Sequence, residues 1–92
     1  MIVAYRLSIT GRVQGVGFRA FVSWRAQSRG LRGWVRNRRD GSVEALLIGE
    51  TDAVEAVAAE CGRGPASARV DRIEKLAAAD DGTRDFMERP TV

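Results

Sequence analysis

VDRIEKL, residues Val70 to Leu76, is the stretch on which the fold turns. Val70, Ile73 and Leu76 recur every third position, a spacing that suits a helix as well as a bulged strand, so periodicity leaves the segment open. The elements before it read more plainly. Val3, Tyr5, Leu7 and Ile9 alternate, the period-2 pattern of a strand with one buried face. Phe18, Phe21, Val22, Trp24 and Ala26 then recur at helical spacing, and Gly30 lies where a helix usually stops, which predicts a helix from about Phe18 to Arg29 with those residues turned to the core.

LRGWVRNRRDGSVEALLI, from Leu31 to Ile48, reads as two strands around the Asp40-Gly41 pair, a strong short-range hairpin signal. Val43, Ala45 and Leu47 alternate along the second of them. Asp52 and Glu55 resemble a capping pair, and Val54, Val57, Ala58 and Cys61 form the apolar stripe of a second helix that Gly62, Gly64 and Pro65 end. Read as a strand, Val70–Leu76 completes the order strand, helix, strand, strand, helix, strand. That is the split βαβ arrangement of a ferredoxin-like α+β sandwich (βαββαβ), an antiparallel sheet with two helices on one face. Phe86 anchors a last short edge strand before Pro90. The ending DFMERPTV is short of alternating apolar residues and leaves the register of that edge open.

Ninety-two residues suit one compact domain, residues 1–92, and no proline- or serine-rich stretch marks a linker. The start, MIVAYRLSIT, lacks the charged head and continuous apolar middle of a secretory signal, and no run reaches the roughly 20 apolar residues of a membrane span. A cytoplasmic location is expected, with no membrane partner. Cys61 is the only cysteine, which excludes an internal disulfide. There are no histidines, so any proton transfer proceeds without imidazole and zinc sites built on histidine are excluded; a metal-free, cofactor-free site is expected. Lys75 is the only lysine, and the arginine-dominated balance of +3 suits an anionic partner, either nucleic acid or a small phosphate.

Between the first strand and the first helix lies GRVQGVGFR, Gly11 to Arg19, three glycines closed by an arginine. Without a Cβ the backbone can approach a ligand closely, so successive N–H groups can converge on phosphate oxygens. Arg19 falls where the helix begins, and its guanidinium can grip two oxygens beside a helix end already favourable to negative charge. Asn37, late in the second strand, could reach the same opening. Its carbonyl can accept a hydrogen bond from a water while its amide donates elsewhere, although asparagine also commonly starts a turn such as Asp40-Gly41.

GRVQGVGFR, with GWVRNRRDGSVEA from Gly33 to Ala45 at matching separation and GPASARV from Gly64 to Val70, resembles the signature segments of the acylphosphatase family over nearly the whole chain. The resemblance implies a ferredoxin-like fold and metal-independent hydrolysis of the carboxyl–phosphate bond of acyl phosphates by direct attack of water. It implies that Gln14, Gly15, Val16, Gly17, Phe18 and Arg19 form the phosphate-binding loop, that Arg19 binds the phosphoryl group and that Asn37 orients the water. A small acyl phosphate is then the substrate, inorganic phosphate a product, and a monomer the expected state.

The chemistry of the residues agrees. An acyl phosphate carries its own good leaving group, and phosphoryl transfer is dominated by positioning and by electrostatic stabilisation that amides and one arginine can supply. Tyrosine-phosphatase-type loops also end in arginine but hold a cysteine six positions earlier, where this chain has Val13. Cys61 reads as core. Arg36, Arg38 and Arg39 surround Asn37 and either steer dianions or form a solvated cluster. Gln14 either shapes the loop through its amide or is an idle surface residue, and Arg12 reads as peripheral. The rival from another class is a single-stranded RNA-binding ferredoxin-like module without hydrolase activity, but its aromatic RNA-binding signature is absent and the aromatic cluster falls on a helix. A third reading, a regulatory acyl-phosphate or carbamoyl-phosphate domain of a larger maturation protein, sits poorly with the length.

Overall fold

The computed structural model describes residues 1–92. Along the chain run β1 (Ile2–Arg12), α1 (Phe18–Ser28), β2 (Arg32–Asn37), β3 (Val43–Glu50), α2 (Thr51–Cys61), β4 (Arg69–Ala77) and β5 (Phe86–Arg89). The sheet has the order β4-β1-β3-β2-β5. Four strands pair antiparallel, as the βαββαβ reading requires, but β5 lies parallel to β2, so the sheet is mixed rather than wholly antiparallel. The reason is connectivity. β4 runs against β2 from the opposite edge, and a strand that starts at the end where β4 finishes must run with β2.

VDRIEKL is a strand, and its threefold spacing has a local cause. Thr10 pairs with Arg72 while Gly11 pairs with Val70, so Asp71 is an extra residue bulged out of register. One inserted residue flips the side-chain alternation, which puts Val70 and Ile73 on the same, helix-covered face. Both pack on the core, whereas Leu76 faces the other way and is exposed. The bulge requires glycine opposite. Gly11 has φ +129°, and a Cβ there would run into the Arg69 carbonyl oxygen and lie 2.8 Å from the Asp71 nitrogen.

α1 begins at Phe18 and stops before Gly30, as its pattern predicts. Phe18, Val22 and Ala26, four apart, are buried, and Phe21 packs beside them. Trp24 departs from the expected core: two residues beyond Val22 it lies about 200° around the helix, 62% exposed, with the Arg25 guanidinium over its ring. α2 also starts differently. β3 passes straight into it at Thr51, so Asp52 is in the first turn rather than at the cap, and no side chain caps the helix. The Thr51 N–H and hydroxyl instead donate to the Met1 carbonyl oxygen.

Leu7, Ile9, Val35, Val43, Ala45 and Leu47 line the covered face and meet Phe18, Val22, Val54, Val57 and Cys61 from the helices. The other face is not bare. Trp34, Leu46 and Ile48 form a second buried cluster there, against Ala4 and Ala78. The chain crossing from β4 to β5 covers it, held where Ala78 N–H donates to Ala4 O, Trp34 Nε1 to Asp81 Oδ2, and Arg32 Nη1 to Thr83 O.

Candidate active site

The end of the sheet where β1 hands over to α1 brings the glycine loop and Asn37 to the same place. Val13 and Phe18, both buried, anchor the two ends of the loop. Between them Gly15 (φ +72°) and Gly17 (φ +80°) take left-handed conformations that other residues rarely adopt. Gly17 occupies the cap position of α1, where no side chain bonds the helix and the first turn holds no acid. The N–H groups of that first turn therefore lack intrahelical acceptors, and those of Gly15, Val16 and Gly17 donate to nothing in the protein. Several donors thus share one short, exposed turn at the positive end of a helix.

Arg19 stands in that first turn, half-buried, and no carboxylate lies within ion-pair distance of it. Among the half-buried arginines it shares this with Arg89, whereas Arg25, Arg32, Arg36 and Arg38 are paired with acids. Asn37 is the last residue of β2. It pairs with Val43 and, two steps beyond Val35, is on the helix-covered side of the sheet, the side from which α1 starts. Its carbonyl accepts from the Val92 N–H at 3.2 Å, and the Arg39 N–H donates to Val92 O at 2.8 Å, so the chain end lies along this strand. No local sequence signal announces that contact.

Gln14 joins the two halves. Its Nε2 donates to Arg38 O at 2.7 Å and to Ser42 O at 2.8 Å, across the mouth of the hairpin one residue after Asn37. The third resembling segment supports the loop from behind. A Cβ on Gly64 would lie 2.6 Å from the Phe18 ring, so GPASARV passes in close contact with the first residue of α1.

The arginines around Asn37 separate by strand alternation. Arg36 pairs with Glu44 on the opposite face of the sheet from Asn37. Glu44, whose side chain is only 5% exposed, takes Arg36 Nε at 2.7 Å and Arg38 Nη2 at 2.6 Å. Burial pushes the Glu44 carboxyl up, but the hydrogen bonds from Arg38 and Arg36 outweigh it and hold it below the usual range. Arg39 is left exposed and Arg12 is exposed. The Asp40-Gly41 turn closes through Asp40 Oδ1, which accepts from the Ser42 N–H and hydroxyl. Cys61 is fully buried in the core, and burial, then Glu60, raises its thiol to about 12. That rules against a thiolate nucleophile.

An open pocket of about 420 Å³ lies at the far end of α1, lined by Gln27, Leu31, Arg32, Arg84 and Phe86 among others. It contains none of the loop residues. The one aromatic of the sheet face away from the helices, Trp34, is buried, with the guanidinium groups of Arg36 and Arg89 over its ring and Nε1 bonded to Asp81. A base could not stack on it as it stands.

The acylphosphatase family model matches residues 5–87. An acylphosphatase of Nitrobacter hamburgensis is 47% identical, over 98% of this chain and 97% of that protein. The crystal structure of acylphosphatase from Bacillus subtilis superimposes with a TM-score of 0.91 at 38% identity, covering 97% of this chain and 99% of the other. The structure of full-length HypF in its phosphate- and nucleotide-bound form gives 0.91 at 31% identity, but there the match spans 99% of this chain and 12% of the larger one.

Proposed function

Because the chain belongs to the acylphosphatase family and is an acylphosphatase, we propose that the loop Gln14–Arg19 binds the phosphoryl group of its substrate and that Asn37 orients the water that attacks it. One observation carries this reading: unpaired loop amides and an arginine without an acid partner lie on the turn that Gln14 ties to the end of the strand bearing Asn37.

In the reaction the phosphoryl oxygens take hydrogen bonds from the loop amides and from both arms of the Arg19 guanidinium. The carbonyl of Asn37 accepts a hydrogen bond from water and turns its lone pair toward phosphorus. The new oxygen–phosphorus bond forms as the bond to the acyl oxygen breaks; the carboxylate leaves with that electron pair, and the water's proton passes to phosphate or solvent. Charge grows on the leaving carboxylate, which needs no general acid, and the amides and arginine stabilise the equatorial oxygens. The substrate is a small acyl phosphate and inorganic phosphate a product. The chain works as one domain, residues 1–92, monomeric and cytoplasmic; no helix is long and apolar enough to cross a membrane.

Purified protein is expected to hydrolyse benzoyl phosphate in excess chelator, and Asn37→Ala to lower kcat by about 10²- to 10³-fold, as when a transition-state hydrogen-bonding group is removed. Activity that needs added metal, or an Asn37→Ala protein as fast as the parent, would overturn this mechanism.

A further inference from the structure

We propose that Gln14 is a positioning residue: its side-chain amide sets the separation between the phosphate loop and Asn37, and so the alignment of water with phosphorus. The proposal rests on the roles of Arg19 and Asn37 given above. It goes beyond them in giving this side chain no phosphate to hold.

Both hydrogens of the amide are committed. One goes to Arg38 O at 2.7 Å and the other to Ser42 O at 2.8 Å. These carbonyls belong to the two sides of the hairpin, which close on each other where the Arg38 N–H donates to Ser42 O at 2.8 Å. Asn37 and its partner Val43 are the next residues in from that closure. The amide therefore grips the hairpin at the rung beside Asn37, from a residue adjoining Gly15.

The need for such a tether follows from the loop. The N–H groups of Gly15, Val16 and Gly17 donate to nothing in the protein, the one backbone bond of the three being Phe21 N–H to Gly17 O, and two of the three are glycines, so the turn has little of its own to hold it at a fixed distance from β2. In-line attack tolerates little error, since a misplacement near 1 Å can cost on the order of 10²-fold in rate. The acceptors also dictate the residue type. Two carbonyl oxygens facing one side chain require a group with two hydrogens to give, which an amide has and a carboxylate or thioether lacks.

The test compares Gln14→Met, which keeps length but has no donor, in the parent and in an Asn37→Ala background, using benzoyl phosphate turnover and competitive inhibition by inorganic phosphate. In the parent, kcat is expected to fall about 10- to 100-fold while phosphate inhibition stays within about threefold, because the loop amides and Arg19 remain. In the Asn37→Ala background the same substitution should change kcat by less than about twofold, since the group it aligns is gone. An unchanged kcat in the parent, an equal loss in both backgrounds, or phosphate inhibition weakening in step with kcat would each overturn the proposal. Full turnover in Asn37→Ala alone would remove the assignment of Asn37 and the proposal with it, whereas loss there without loss in Gln14→Met would remove the proposal only. Should Gln14→Met not fold, Gln14→Glu provides a pH signature: a protonated carboxyl can donate one bond, so its kcat relative to the parent should rise as pH falls toward about 4. A flat ratio would overturn the proposal.

Discussion

Asn37 and its neighbours Arg36 and Arg38 show how much one step along a strand changes. Asn37 is on the side of the sheet where α1 begins, while Arg36 and Arg38 turn to Glu44 on the other side. A cluster of three arginines around an asparagine is visible in the chain, but its division between two faces appears only once the ladder register is known. Arg19, by contrast, was legible from its place after the glycines, and the structure leaves it without an acid partner. Arg19→Ala is expected to weaken competitive inhibition by phosphate about 10- to 100-fold, the equivalent of a charge-assisted hydrogen bond worth roughly 1.5 to 3 kcal/mol, and to lower turnover as well. Arg19→Lys should recover little, because a point charge cannot grip two oxygens in one plane. Phosphate inhibition that is the same in all three proteins would remove Arg19 from the site.

Among the elements, β4 carries the clearest lesson. Val70 and Ile73 fall three apart, a spacing a helix shares, because Asp71 is inserted into the ladder between them, and Gly11 on the neighbouring strand makes room for the insertion. The same strand is an edge of the sheet, and its row of Arg69, Asp71, Arg72, Glu74 and Lys75, together with the bulge, blunts that edge against pairing with another chain. Gly11→Ala should therefore destabilise the fold by about 2 to 3 kcal/mol, from a strained φ and the encounter with the Arg69 carbonyl. Urea unfolding measures it, and a midpoint equal to the parent's would show that the bulge can rearrange. The Asp40-Gly41 hairpin and α1 were readable because turn chemistry and helical spacing are local. The start of α2 was not, since Thr51 is held by Met1 from the far end of the chain.

Taken together, the strands enclose apolar clusters on both faces, and charge is arranged to keep them closed. Glu44 is held below the usual carboxylate range by Arg38 and Arg36 against its burial, and Asp81 is held at about 2 by the Thr83 hydroxyl and N–H, with Trp34 adding to this. A depressed folded-state value means stability that is present above the ordinary carboxylate range near 4 and is lost as pH falls toward 2. Unfolding free energy should accordingly drop over that window. Glu44→Gln should flatten the profile and lower stability near neutral pH by roughly 1 to 3 kcal/mol, with Arg36, Arg38 and, at 3.8 Å, Arg6 left without the carboxylate they share; an unchanged acid limb in chemical denaturation would discount Glu44 as its source. The first strand, α1, the glycine loop with Arg19 and the hairpin behind Asn37 could be read from the residues because each rests on neighbours a few positions apart, and the acylphosphatase likeness because its segments keep their separation along the chain. The parallel placement of β5, the outward turn of Trp24, the pairing of Arg36 and Arg38 with Glu44 and the grip of Gln14 on Arg38 and Ser42 could not. Trp24 turns outward because it lies about 200° around α1 from Val22, once packing has chosen the Phe18, Val22 and Ala26 stripe as the buried one; the others depend on which residues meet across the sheet, and that is set by packing and strand register rather than by local spacing.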